Sequence, residues 1–256
     1  MTITHVDTST GVRSNIQQLA KLGHDHGVLV VVDGVCSIAG EALRMDEWGV
    51  DLALTASQKA VSVPPGLALL VAGPQAMEAW RTRKSPVRSY YGDFGKLLPI
   101  MEAYEARKPG YFGTPPVNLI NALNVSLGQI LEEGMEIRFA RHLRMGKAMQ
   151  EVLRVLNLNQ VPTSPDHASS TLTAPYCPEG IQLADFLPKV SQAGIIIAGG
   201  LHPEIKTRYF RIGHMGPTTA GDLLATIAAV EAGLAGCGYK FEPGSGLAAA
   251  QRILHA

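Results

Sequence analysis

The sequence predicts an α/β fold, and three observations carry that prediction. Residues 28–32 form a continuous apolar run of four valines and a leucine, as expected of a strand buried on both faces of a parallel sheet. A second strand pattern, residues 51–56, follows after a short helical or turn segment, and a third occupies 67–72. Apolar residues between and beyond these runs recur at helical spacing, so strands and helices alternate.

Taken in order, residues 2–6 alternate like a strand. Ile16, Leu19, Ala20 and Leu22 place a helix over 13–26, with Gly27 as its C-cap. Asp33 ends the strand at 28–32, and residues 34–37 read as a turn leading to Trp48 and Gly49. Pro74 opens a helix that runs to Arg83. Residues 84–114, rich in Tyr, Gly, Lys and Arg, read as an irregular connection with one short helix from Leu97. Pro115 and Pro116 stand where the missing N–H of a first helical turn costs nothing, and Leu119, Leu123, Leu127, Ile130 and Leu131 share one face of the helix that follows. Gly134 breaks it, and 137–158 form the next. After a Pro-rich loop at 161–166 the pattern changes to smaller α+β units: strand 170–174, helix 181–193, strands 195–198 and 208–213, helix 218–234. The domain organisation read from this is a large domain over 1–134, a small C-terminal α+β domain over 135–237, and a loose Gly- and Ala-rich tail over 238–256.

Composition narrows the function. The chain has 256 residues, 46% of them hydrophobic, and zero formal net charge. That balance argues against a nucleic-acid or polybasic membrane binder. Cys36, Cys177 and Cys237 are far apart, odd in number and outside C-x-x-C spacing, which predicts neither a disulfide framework nor zinc and fits a reducing, intracellular compartment. No apolar run approaches the roughly 20 residues of a transmembrane helix. His24, Asp25 and His26 read as the last turn of a helix rather than a metal site, and Trp48 and Trp80 as packing residues.

Chemistry concentrates in D-L-A-L-T-A-S-Q-K-A-V-S-V-P-P-G (51–66). Lys59 follows directly on a strand. An ammonium there loses hydration, and the neutral amine that desolvation favours is the form that condenses with an aldehyde. The alternative is a lysine that snorkels to water. In open α/β sheets ligands collect beyond the carboxyl ends of strands. Asp33 ends the preceding strand, where a carboxylate either caps the next segment or holds a ring nitrogen protonated.

The motifs T-H-V-D-T-S-T-G (4–11), V-V-D-G-V-C-S (31–37), S-Q-K-A (57–60), P-P-G (64–66), Y-F-G-T-P-P-V (111–117) and R-I-G (211–213) occur in the order found in one family. Through them the chain resembles class V aminotransferases of the alanine–glyoxylate (serine–pyruvate) type. The resemblance implies fold type I of the pyridoxal 5′-phosphate-dependent transferases, with 1–134 as part of the large mixed-sheet domain. It implies transamination from alanine or serine to glyoxylate or another small 2-oxo acid, by ping-pong chemistry. It makes Lys59 the Schiff-base lysine and proton carrier, Asp33 the partner of the pyridine nitrogen, Val35 the apolar contact on one ring face and Thr8 a hydroxyl on the phenolic oxygen. Gln58 is implied on the phosphate or substrate side. Tyr111 and Thr114 are implied as phosphate ligands lent across a homodimer interface, Thr114 from a helix N-terminus. Arg211 is implied as the grip on the substrate α-carboxylate.

Members of the family carry a long segment ahead of the position of Thr2, with a Gly-rich phosphate loop and a ring-stacking aromatic. The chain is therefore expected to be poorly stable or inactive as given, or to come from a longer parent gene. Gln58 ahead of Lys59 separates it from cysteine desulfurases, which place a histidine there. A phosphoserine aminotransferase would use the basic residues near Arg88, and a non-catalytic binding or dimerisation module is the remaining alternative.

Overall fold

The computed structural model describes residues 1–255. Four strands, β1 (Thr2–Thr4), β2 (Val31–Asp33), β3 (Leu52–Ala56) and β4 (Ala68–Ala72), lie side by side in that order. The first three are parallel, and β4 returns antiparallel to β3, so the sheet is mixed. Helix α1 (Ile16–Asp25) makes the crossover from β1 to β2. It is capped by Asn15, whose side chain accepts the Gln18 N–H at 3.1 Å. Ile16 and Ala20 of α1 bury against Ile3, Val30, Val32 and Ala53.

The strand predicted over 28–32 is shorter and later than its apolar run. Val28 and Leu29 are exposed, and the Val30 N–H goes to the carboxylate of buried Asp51 at 2.7 Å instead of a neighbouring strand. After β2 the chain turns through 34–42 to α2 (Met45–Trp48), and β4 leads into α3 (Pro74–Thr82). Helix α4 begins at Phe94, earlier than the apolar run suggests, because Asp93 caps it by accepting the Gly95 N–H at 3.0 Å.

Helices α5 (Val117–Glu133) and α6 (Met135–Val155) meet at Gly134. Beyond them a 3₁₀ turn (Pro165–His167) precedes a small antiparallel sheet, in the order β5 (Leu172–Thr173), β7 (Phe210–Gly213), β6 (Ala198–Gly199). Helices α7 (Leu183–Gln192) and α8 (Ala220–Gly236) complete this part. Thr219 and Asp222 form a reciprocal capping box at the start of α8. Phe186, Val190, Phe210, Ile212, Leu223, Ile227 and Leu234 share its core with Met145, Met149 and Val152 of α6.

The loose tail expected over 238–256 is corrected by the structure. Residues Ser245–Leu254 form a ninth helix, α9, packed against α6 and α8. Its small residues mislead when read as composition, because alanine is the best helix former. Ala249 and Ala250 are fully buried, allowing close approach to α6. Gly244 enters the helix at φ 81, and the Glu231 carboxylate on α8 accepts the N–H groups of Gly244 (2.8 Å) and Gly246 (2.7 Å), meeting donors that the helix start leaves open. Removing residues 244–256 is expected to lower unfolding free energy by at least about 2 kcal/mol, since a packed helix and the partners of a buried carboxylate are lost. Urea denaturation of the truncated and full chains measures this.

Candidate active site

β2 and β3 pair in parallel with Asp33 opposite Leu54, so Asp33 and the loop carrying Lys59 leave the sheet at the same edge. Asp33 opens a tight turn by accepting the Val35 N–H at 3.0 Å through Oδ1. Gly34 donates to Leu54 O at 2.9 Å, and the Thr55 hydroxyl bonds Gly34 O at 3.2 Å, so the turn is fastened to β3. The Lys59 loop is fixed from within. Ser57 donates to Pro64 O at 2.8 Å and accepts the Leu67 N–H at 3.2 Å, while the Ser126 hydroxyl of α5 bonds Val61 O.

Thr8 sits on a turn built by its neighbours. Asp7 accepts the N–H and hydroxyl of Ser9, each at 2.8 Å, and the Thr10 hydroxyl at 2.7 Å. Burial works against the charged form of Asp7, yet these donors hold its carboxyl below the usual range. Gly11 closes the turn at φ 69, a left-handed conformation that favours glycine.

Arg211, from β7, spans to this turn: Nη1 donates to Thr8 O at 2.9 Å and Nε to Gly199 O at 2.8 Å. Thr8, Lys59 and Arg211 line one cavity of about 320 Å³, together with Cys36, Leu172 and Met215. The Lys59 side chain is half-buried, and among the described residues no hydrogen bond or ion pair engages its amine. Nη2 of Arg211 is likewise without a protein partner there. A larger cavity of about 550 Å³ lies elsewhere, between the start of α1 and α6. It contains neither Lys59 nor Arg211, so volume alone does not locate the site, and Asp33 lines neither cavity.

The remaining candidates are placed differently. Val35 is half-buried on the turn after Asp33, and Gln58 is exposed beside Lys59. Tyr111 and Thr114 are exposed, with their hydroxyls 3.1 Å apart. The expected placement of Thr114 at a helix N-terminus is corrected: Pro116 holds the N-cap position of α5, and Thr114 lies two residues outside it. Sequence reading passed over Cys36, whose Sγ is 2.8 Å from the Thr8 hydroxyl, and residues 195–197, an apolar wall of the cavity. Ile196 is 89% exposed, an unusual position for isoleucine that only the structure reveals. Among the described residues no cluster of three or more side chains is arranged to hold a metal ion.

Three histidines are buried in the fold: His5, His142 and His214. Burial lowers His5, His142 and His214 from the ordinary 6.5 to about 4; Arg13 adds to the effect at His5, Arg141 and Arg138 at His142, and His142 at His214.

The family described as Aminotransferase class-V matches residues 1–215. Over 224 residues the chain is 42% identical to alanine–glyoxylate aminotransferase 1 of Saccharomyces cerevisiae, covering 85% of this chain and 57% of the yeast protein. It is 37% identical over 256 residues to serine–glyoxylate aminotransferase of Arabidopsis thaliana, covering 98% and 62%. The crystal structure of ureidoglycine–glyoxylate aminotransferase from Bacillus subtilis overlays with a TM-score of 0.90 at 26% identity, over 100% of this chain and 65% of that one. The fold is thus the mixed α/β fold of these transferases. The chain spans about three fifths of the length of these curated relatives.

The low histidine values predict an acid-sensitive fold. In the unfolded chain each histidine takes a proton near 6.5, whereas in the folded chain it does so only near 4. Between those values the unfolded state binds more protons, so stability falls as pH drops through this window, by about 1.4 kcal/mol per pH unit for each group. Melting curves from pH 7 to 4 should show the decline, and His214→Asn should flatten it.

Proposed function

This chain belongs to the class-V aminotransferase family, and from that premise we propose that it is the core of a pyridoxal 5′-phosphate-dependent transaminase. The amino donor is alanine or serine, and the acceptor is glyoxylate or another small 2-oxo acid, as the names of its relatives suggest. One observation carries the reading: an unengaged, half-buried amine in the loop after β3 shares a cavity with an arginine whose Nη2 has no partner among the described residues, and Asp33 leaves the neighbouring strand at the same sheet edge.

The residues present fit the cofactor. The cavity volume lies in the range that takes small ligands, and its contents are an amine, a hydroxyl and a guanidinium among apolar walls. When bound, pyridoxal phosphate supplies an electron-withdrawing ring that stabilises negative charge at the substrate Cα. Lys59 Nζ would carry the proton between that carbon and the cofactor's C4′. Asp33 keeps a proton on the ring nitrogen. Arg211 Nη2, held in place because Nε and Nη1 are tied to Gly199 and Thr8, receives the substrate carboxylate. Thr8 offers its hydroxyl to the phenolic oxygen, exchanging its contact with Cys36. Val35 meets the ring face, and Gln58 with Tyr111 and Thr114 serves the phosphate, the last two from a partner copy in a homodimer. Division of the chain near Gly134 into large and small domains, with α9 assigned to the small one, and an intracellular setting complete the reading. No helix among the described residues is long and apolar enough to cross a membrane.

The desulfurase alternative finds no support in the cysteines. Cys36 is buried in a fastened turn, and burial, with Cys237 nearby, pushes the Cys177 thiol up to about 11.

Borohydride reduction with added pyridoxal phosphate should fix the cofactor at Lys59 Nζ and at no other lysine, read by peptide mass spectrometry. Lys59→Ala should abolish the label, and labelling elsewhere in the wild-type chain overturns the assignment. In transamination between L-alanine and glyoxylate, Arg211→Lys should raise KM for alanine by about tenfold or more, because a single ammonium cannot make the paired contact.

A further inference from the structure

Arg138 is 4% exposed, on the first turn of α6. A guanidinium at that depth needs partners for its donors. Nη1 pairs with Glu133 at 2.6 Å. The other two bonds go to backbone: Nε to Ala39 O and Nη2 to Ala60 O, each at 2.7 Å. Ala60 immediately follows Lys59, and Ala39 lies in the turn that begins at Asp33. Both segments contain left-handed non-glycine residues, Ala39 at φ 70 and Ser62 at φ 67, a conformation that persists only where surroundings hold it. One planar fork therefore bridges two strained loops.

The same side of α6 reaches the third element of the site. Arg141 donates to Gly216 O and Thr218 O, both at 2.9 Å, in the loop that follows β7 and Arg211. Glu133 takes both arginines, with Arg141 Nε at 2.6 Å. His142 accepts the Gly216 N–H through Nε2 at 3.0 Å, so its proton is on Nδ1, which donates to Arg138 O at 2.8 Å.

We infer that Arg138 is a positioning residue: by bridging Ala39 and Ala60 it sets the Lys59 loop against the Asp33 turn, so that amine and carboxylate address one bound ring. The inference rests on the reading of Lys59 and Asp33 proposed above, and adds control of their geometry by a residue outside the cavity. An arginine serving only as an ion-pair partner of Glu133 would not need two carbonyls from different loops. Lysine could keep the pair but could not make the bridge.

The test compares the full chain with Arg138→Lys and Arg138→Gln at a temperature where circular dichroism finds all three folded. One readout is the rate at which a pulse of acetic anhydride modifies Lys59, normalised to exposed Lys147; it needs no cofactor. The other is the pyridoxal phosphate concentration that gives half-maximal borohydride trapping at Lys59. Both variants should change the Lys59 rate by about threefold or more and raise the trapping concentration by about tenfold, Gln more than Lys, as expected when a supporting residue is lost. Lowered melting temperature with both readouts unchanged would make Arg138 purely structural and overturn the inference. If the wild-type chain traps no cofactor at Lys59, the proposed function fails, while the anhydride rates still decide whether Arg138 holds the loop. Should both variants fail to fold, Glu133→Gln, which frees the fork from one side, takes their place: a smaller change in the same readouts supports the inference, and none refutes it.

Discussion

The parallel register of β2 on β3 is the constraint from which the site follows. Val31 lies opposite Leu52 and Asp33 opposite Leu54. Parallel neighbours end at the same edge, so the two loops that carry Asp33 and Lys59 must emerge side by side. Asp51 secures the beginning of this pairing: its carboxylate takes the Val30 N–H at 2.7 Å, and its own N–H donates to Val30 O at 2.9 Å. A slip of β2 by one residue would turn buried Val32 away from the core and carry Asp33 to the opposite face. Core packing and site geometry are therefore specified by one register.

Arg211 comes from a different sheet, and its link to the first is made through backbone rather than through a shared core. The turn of residues 7–11 is the hinge point. Its Thr8 carbonyl accepts Arg211, its Ser9 carbonyl accepts the buried Tyr209 hydroxyl, and Val12 just beyond it bridges Ala168. Tyr209 also accepts the N–H groups of Leu201 and His202 at 2.9 Å, tying the segment after β6 to the same point. Arg211 is in this way referenced to Thr8, and Thr8 to the Asp33 turn through Cys36.

Sequence pattern reveals those parts of this arrangement that depend on local chemistry. Asp33 and Lys59 are legible because each ends an apolar run with an abrupt change of polarity, and the helices are legible from spacing. Two kinds of feature are not. Strand limits depend on which partner takes each backbone N–H, and nothing local to 28–32 says that Asp51 will intercept Val30. Segment 238–256 looks featureless because its information lies in fit: Ala249 and Ala250 matter for what they allow α6 to approach, which composition does not display. Thr114 shows the opposite error. A hydroxyl ahead of two prolines has the pattern of a cap, but the helix starts at Val117, too late for Thr114 to reach its free donors.

Arginines follow a rule here that local pattern could not supply. Where the chain leaves a ladder at the edge of a sheet, carbonyl oxygens lose their partners, and a buried acceptor without a donor is costly. Arginine, with five donors and no acceptor, meets several such oxygens at once. Arg13 reaches Asp166 O, Arg138 reaches Ala39 and Ala60, Arg141 reaches Gly216 and Thr218, and Arg211 reaches Gly199 and Thr8. Apart from Arg211 to Gly199, which joins neighbouring strands, these contacts cross between segments distant in sequence and fix one relative to another. Among the described residues the amine of Lys59 and the Nη2 of Arg211 make no such contact, and both line the same cavity. The proposed transaminase would use these two positions to take a substrate carboxylate and the cofactor carbonyl.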